Sequence, residues 1–125
     1  MSFSFDDKYV LTGSRDKTCK VYRIDQEKGL QVVCELACKD SVSAVRFADK
    51  LEKDEYVFVV GLDNGSILVN SFVEKESKIR EIDVVSEWMA HSNVIRRIKF
   101  RAVKQAGSYQ FASCGEDHSV RIISF

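Results

Sequence analysis

The 125 residues predict an all-β protein built from small four-stranded antiparallel units, about two and a half to three of them, set side by side. Three observations carry this. First, three segments resemble one another: YVLTGSRDKTCKVYRI from Tyr9, YVFVVGLDNGSILVNSF from Tyr56, and QFASCGEDHSVRIISF from Gln110. Each is a β-rich run, a short polar turn carrying Asp, and a second β-rich run. Second, apolar residues around these segments recur at every second position, the strand period. Third, the chain has no proline and no sustained i, i+3, i+4, i+7 apolar pattern, so no long helix is predicted.

Within each unit the elements follow in order. VSAVRF (Val42 to Phe47) and VIRRIKF (Val94 to Phe100) align at Phe47/Phe100 and Val45/Ile98, and SFSF at the N-terminus fits the end of the same strand, with Phe5 matching Phe47 and Phe3 matching Val45. The strand–turn–strand segment comes next. LQVVCELA from Leu30 and REIDVVSEWMA from Arg80 supply one more strand. The aligned turn aspartates are Asp16, Asp63 and Asp117, 47 and 54 residues apart. Asp63-Asn64-Gly65 has a mechanism as a hairpin turn, because Asn and Gly tolerate positive φ. At Asp16 and Asp117 the side chain is placed to accept hydrogen bonds from nearby backbone amides. Polar connections are expected at Asp25 to Gly29, Asp49 to Glu55, Glu74 to Lys78 and Lys104 to Ser108. The units run approximately 1–24, 30–73 and 79–125, all in one domain.

This repeat resembles the WD-repeat family over essentially the whole chain, and a period near ~40–45 residues with loop insertions suits it. Ala90-His91 stands where the family has Gly-His, Ile95, Ile98 and Phe100 follow at its apolar offsets, and FASCGEDHSVRI matches its strand–turn–strand signature. The family's terminal Trp-Asp is degenerate, as Tyr22-Arg23, Val69-Asn70 and Ile123-Ser124. SRDKTCKVYRI, KDSVSAVRFADK, HSNVIRRIKFR and CGEDHSVRI resemble more narrowly the C-terminal repeats of the family of Elongator second subunits. The resemblance implies a partial β-propeller. It also implies a non-catalytic scaffold, bound to other protein subunits, that supports a complex modifying wobble uridine in transfer RNA. In this family the outer strand of a blade usually comes from the next repeat. The last outer strand is then absent and the first inner strand clipped at Met1. That pattern is expected of a C-terminal fragment, or of a chain completed by other chains or by copies of itself through open blade edges.

The resemblance also places His91, Ser113 and Asp117 together inside the last blade, with Thr12 and Asp16 as counterparts in the first and Asp63 in the second. In the second unit Cys38 replaces the His and Val59 the Ser, and in the first Tyr22 takes the Trp position. These three residue types could be read as a hydrolase triad. Catalysis would need an exposed serine, an oxyanion hole and a pocket, so a structural hydrogen-bond network is the expectation and no catalytic residue is assigned.

Nineteen basic residues balance nineteen acidic ones, so no global charge argues for nucleic acid or an anionic membrane. The charge is uneven: from Trp88 onward it sums to +4, the remainder to −4. Arg96, Arg97, Lys99 and Arg101, with Lys104, form a basic face that could meet an acidic subunit or RNA. RNA is less favoured because no set of stacking aromatics is interleaved with them. Trp88 is a candidate partner anchor or packs under the next blade. Cys19, Cys34, Cys38 and Cys114 lack zinc-site spacing with only two histidines present, so reduced thiols, no metal and no cofactor are expected. No run reaches membrane-helix length and no secretory signal is visible. The expected location is cytoplasmic, with the nucleus second. Two rival readings remain open: a WD-repeat adaptor of another intracellular complex, and direct transfer RNA binding through the basic face.

Overall fold

In a computed structural model the protein is described at residues 1–48, 55–75, 78–79, 83–101 and 110–124, with backbone alone at 74–75, 78–79 and 83–88. Among these residues every regular element is a strand, and the expected all-β class holds. Blade one is β1 (Ser2–Phe3), β2 (Tyr9–Gly13), β3 (Thr18–Asp25) and β4 (Gly29–Ala37), hydrogen-bonded in that order. Blade two is β5 (Val42–Phe47), β6 (Glu55–Leu62), β7 (Ser66–Lys75) and β9 (Asp83–Met89), and the short β8 (Lys78–Ile79) pairs with the end of β7. Blade three is β10 (Ile95–Phe100), β11 (Gln110–Gly115) and β12 (Val120–Ser124). All pairings are antiparallel and the sheets are open.

The alternation of side chains along a strand explains how the blades stack. β6 reads EYVFVVGL and is covered on both faces. Tyr56, Phe58, Val60 and Leu62 join the cluster shared with blade one, while Val57 and Val59 join the cluster shared with blade three. A strand buried on both sides loses the apolar–polar alternation of a half-exposed one, which is why this run is almost wholly apolar. Burying each such side chain contributes about 1.5–3 kcal/mol. Two glycines set the approach. A Cβ on Gly13 would collide with Val42 Cγ1, and one on Gly61 would lie 2.8 Å from Cγ2 of Ile95. The branched residues that open blades two and three, Val42 and Ile95, therefore each fit against a glycine of the blade before. Rings complete the first junction: Tyr56 stacks on Phe72 at 4.9 Å, and Tyr9 meets Tyr56 edge-on at 4.9 Å.

The register corrects four sequence assignments. Phe3 lies opposite Val10 as Phe47 lies opposite Phe58, so Phe3, not Phe5, is the counterpart of Phe47. Val60, not Val59, takes the place of Ser113, since Val45 faces Val60 and Ile98 faces Ser113. The degenerate Trp-Asp position of blade two is Asn70-Ser71 rather than Val69-Asn70, because Tyr22, Asn70 and Ile123 face Val10, Phe58 and Phe111.

The fourth correction concerns Asp63. Its amide donates to Ser41 O at 2.9 Å, as the Glu116 amide donates to Val94 O at 2.8 Å, so Asp63 is the partner of Glu116. Asn64 holds the turn position of Asp16 and Asp117. Its Oδ1 accepts from the Ser66 amide at 2.9 Å, as Asp16 Oδ1 accepts from Thr18 at 3.0 Å and Asp117 Oδ1 from Ser119 at 3.1 Å. Lys17, Gly65 and His118, which follow, all have positive φ. Only Gly adopts that conformation without strain.

Candidate functional site

Two features of blade three stand out: a buried polar network on its inner side and an uncovered face on its outer side. The network grows from the loop before β10. His91 is 2% exposed and Ser113 1%. His91 Nε2 lies 2.8 Å from Ser113 Oγ, and Nδ1 lies 3.1 Å from both oxygens of Asp117 and 3.0 Å from Ser119 Oγ. Asp117 also accepts from the Ser92 amide at 3.0 Å and from Ser119 Oγ at 2.6 Å. These donors, the Ser119 hydroxyl foremost, hold its carboxyl well below the usual carboxylate range, with burial opposing them. An ionised carboxylate only accepts, so the proton of a neutral imidazole belongs on Nδ1, leaving Nε2 to accept from the Ser113 hydroxyl. Gly115 closes the site: a Cβ there would lie 3.0 Å from His91 Nδ1.

The geometry matches a Ser–His–Asp relay in connectivity, with the Ser113 hydroxyl buried where blade three faces blade two. Of the predicted set, the structure brings together His91, Ser113 and Asp117. Thr12 and Asp16 sit at the matching places in blade one, where Asp16 binds both the amide and the hydroxyl of Thr18. Asp63 is outside the network. Sequence reasoning missed Ser119, whose hydroxyl joins Asp117 to His91. It also missed a second network at the first junction, where Tyr56 OH donates to Asp6 Oδ2 at 2.6 Å and Ser4 Oγ to Asp6 Oδ1 at 2.7 Å. Burial pushes the Asp6 carboxyl up, but the bonds from Tyr56, Ser4 and the Lys8 amide hold it below its ordinary value. The Asp6 to Tyr56 separation of 50 residues left no local signal of this pairing.

The outer face carries Lys99, Ala112 and Ile122 in one row across the sheet and Arg97, Cys114 and Val120 in the next. Val120 and Ile122 are 69% and 71% exposed. Their counterparts are fully buried: Cys19 and Val21 under blade two, Ile67 and Val69 under blade three. The predicted basic face is thus divided. Arg97 and Lys99 lie beside the uncovered apolar rows, whereas Arg96 Nε donates to Glu116 at 2.9 Å and Arg101 Nη1 to Gln110 at 2.9 Å. Trp88 stands opposite Ile67 on β9; its side chain, and all of Lys104, lie outside the described residues. The four cysteines are free thiols, with Cys19 buried.

Residues 1–23 match the WD domain, G-beta repeat family. The chain is 31% identical over 98% of its length to Elongator complex protein 2 of Dictyostelium discoideum, and 32% identical over 96% to that of Drosophila melanogaster. It is 30% identical over 91% of its length to the Saccharomyces cerevisiae protein of that name. It spans 16%, 16% and 14% of the lengths of these relatives. The crystal structure of Saccharomyces cerevisiae Sqt1 superposes with a TM-score of 0.76 over 96% of this chain and 31% of its own length, at 11% identity, which is a likeness of fold alone. The WD-repeat reading is thereby borne out, and with it the narrower resemblance to the Elongator second subunit.

Proposed function

We propose that this chain is a non-catalytic scaffold segment of an Elongator-like assembly, holding other protein subunits and through them supporting modification of wobble uridine in transfer RNA. The observation that carries the reading is identity of 31% and 32% over 98% and 96% of this chain to proteins named Elongator complex protein 2. The exposed Arg97 and Lys99 favour a partner acidic where it meets them. The residues that resemble a triad serve rigidity, because Ser113 at 1% exposure meets no substrate. The proposed location is the cytoplasm, with a nuclear pool.

The test is affinity purification of the tagged chain from cells under mild salt, followed by mass spectrometry, with imaging of the same tag. Enrichment of Elongator subunits is expected. Recovery of a different stable complex would move the chain to the adaptor reading. Salt-dependent binding of purified transfer RNA, lost on reversing Arg97 and Lys99, would replace subunit binding with RNA binding.

A further inference from the structure

The chain has three asparagines, Asn64, Asn70 and Asn93. Deamidation of asparagine begins when the backbone nitrogen of the next residue attacks the side-chain carbonyl carbon. A side chain on that next residue obstructs the approach, and glycine has none. Asn93 precedes the branched Val94, and Asn70 is 0% exposed within β7 and precedes Ser71. Asn64 alone precedes a glycine, and it is exposed in the turn between β6 and β7.

The fold restrains the reacting atoms. The Gly65 amide, which would be the nucleophile, donates to Leu62 O at 3.0 Å. Asn64 Oδ1, on the carbon to be attacked, accepts from the Ser66 amide at 2.9 Å. The Gly65 carbonyl accepts from the Ala90 and His91 amides, both at 3.1 Å. Gly65 is buried, and a Cβ there would lie 1.8 Å from the His91 carbonyl oxygen. The turn is therefore a clasp on the loop that opens blade three and carries His91. The two products of deamidation would treat this clasp differently. Aspartate gives blade two the residue that Asp16 and Asp117 supply at the same turn position, with the Ser66 amide still its donor. Isoaspartate lengthens the main chain by one methylene immediately before Gly65, where the contact with His91 leaves no slack.

We propose that Asn64 is a deamidation site guarded by the docked loop of blade three, and that isoaspartate formed there releases the loop. The Gly65 nitrogen gives its proton to hydroxide and bonds to Asn64 Cγ. The Cγ–Nδ2 bond then breaks, and ammonia leaves with a proton taken from water. Water opens the resulting succinimide at one carbonyl to give aspartate and at the other to give isoaspartate. No oxidant, metal or cofactor is needed. Because Gly65 must first let go of Leu62, Ala90 and His91, the reaction waits on local opening of the junction between blades two and three. The site thus records how long that junction has stood open.

The test ages the full chain in neutral buffer, folded and in urea. Isoaspartate is tagged by a protein isoaspartyl methyltransferase with labelled S-adenosylmethionine and located by peptide mapping. In urea the tag should appear at Asn64 well ahead of Asn70 and Asn93. In the folded chain it should appear there about tenfold or more slowly, as the three hydrogen bonds of Gly65 require. Gly61→Ala places a methyl 2.8 Å from Ile95 Cγ2 and wedges the same junction without touching the dipeptide, so it should speed the reaction at Asn64. If that variant does not fold, a series of urea concentrations below the unfolding transition replaces it. The rate at Asn64 should then rise in step with hydrogen exchange of the Ala90 and His91 amides. Asn64→Asp should melt with the parent, whereas the purified isoaspartyl chain should melt lower and exchange those two amides faster. Equal rates in folded and unfolded chain, or a rate that ignores the exchange of Ala90 and His91, would remove the guard. Absence of the tag at Asn64 in urea would remove the site. An isoaspartyl chain that melts and exchanges like the parent would remove the release.

Discussion

His91→Ala is the sharpest probe of the blade-three network. The imidazole is 2% exposed and touches Ser113, Asp117 and Ser119. Truncation leaves the Ser113 hydroxyl buried without its acceptor, a cost of about 1–3 kcal/mol. The space left by the ring adds the loss of its packing contacts, of order 1 kcal/mol more. Together about 2–4 kcal/mol is expected, which at about 3–5 °C per kcal/mol for a domain of this size lowers Tm by roughly 6–20 °C. The double variant His91→Ala/Ser113→Ala separates network from packing. It removes the orphaned hydroxyl, so it should recover about 1 kcal/mol of the single variant's loss. Urea melts read by tryptophan fluorescence, with m-values compared, measure both. Strict additivity of the two substitutions, or a Tm within about 1 °C of the parent for His91→Ala, would refute the network and leave His91 a space-filling residue.

The carboxylates make the fold acid-sensitive. The carboxyls of Asp6 and Asp117 lie below their ordinary values in the folded chain. Their stabilisation is therefore fully present above the unfolded pKa near ~4 and is lost as pH falls through that value towards the folded one. Melts from pH 7 down to 3 should show the loss, and Tyr56→Phe, which removes one donor to Asp6, should flatten its slope as well as cost about 1 kcal/mol at pH 7. Gly61→Ala places a methyl 2.8 Å from Ile95 Cγ2 and should destabilise by about 1–3 kcal/mol in a chemical melt. Gly65→Ala should be at least as harmful, because φ is +88° and the new methyl collides with the His91 carbonyl, whereas Lys17→Gly, at φ 69°, should raise Tm. Burial pushes the Cys19 thiol up to about 12. It should resist iodoacetamide at pH 8 in the folded chain, by peptide mapping, and react once urea unfolds it.

The strand content, the repeat and the aspartate-bearing turns were legible in the residues themselves, because alternation of apolar side chains and the backbone preferences of Asp, Asn and Gly are local properties. Their family resemblance added the burial partners His91, Ser113 and Asp117. Register was not legible. Asp63 and Asn64 are both able to cap the turn, and only the Ser41 carbonyl, which binds the Asp63 amide, decides that Asn64 takes the capping position. Val59 and Val60 are the same residue type, so their opposite faces, one toward each neighbouring blade, are assigned by strand pairing alone. The Asp6–Tyr56 bond and the outward set of Val120 and Ile122 likewise follow from how blades stack. Local sequence determines which conformations a segment prefers; which side chains meet, and which face stays uncovered, depends on contacts between segments tens of residues apart, and those exist only once the sheets have packed.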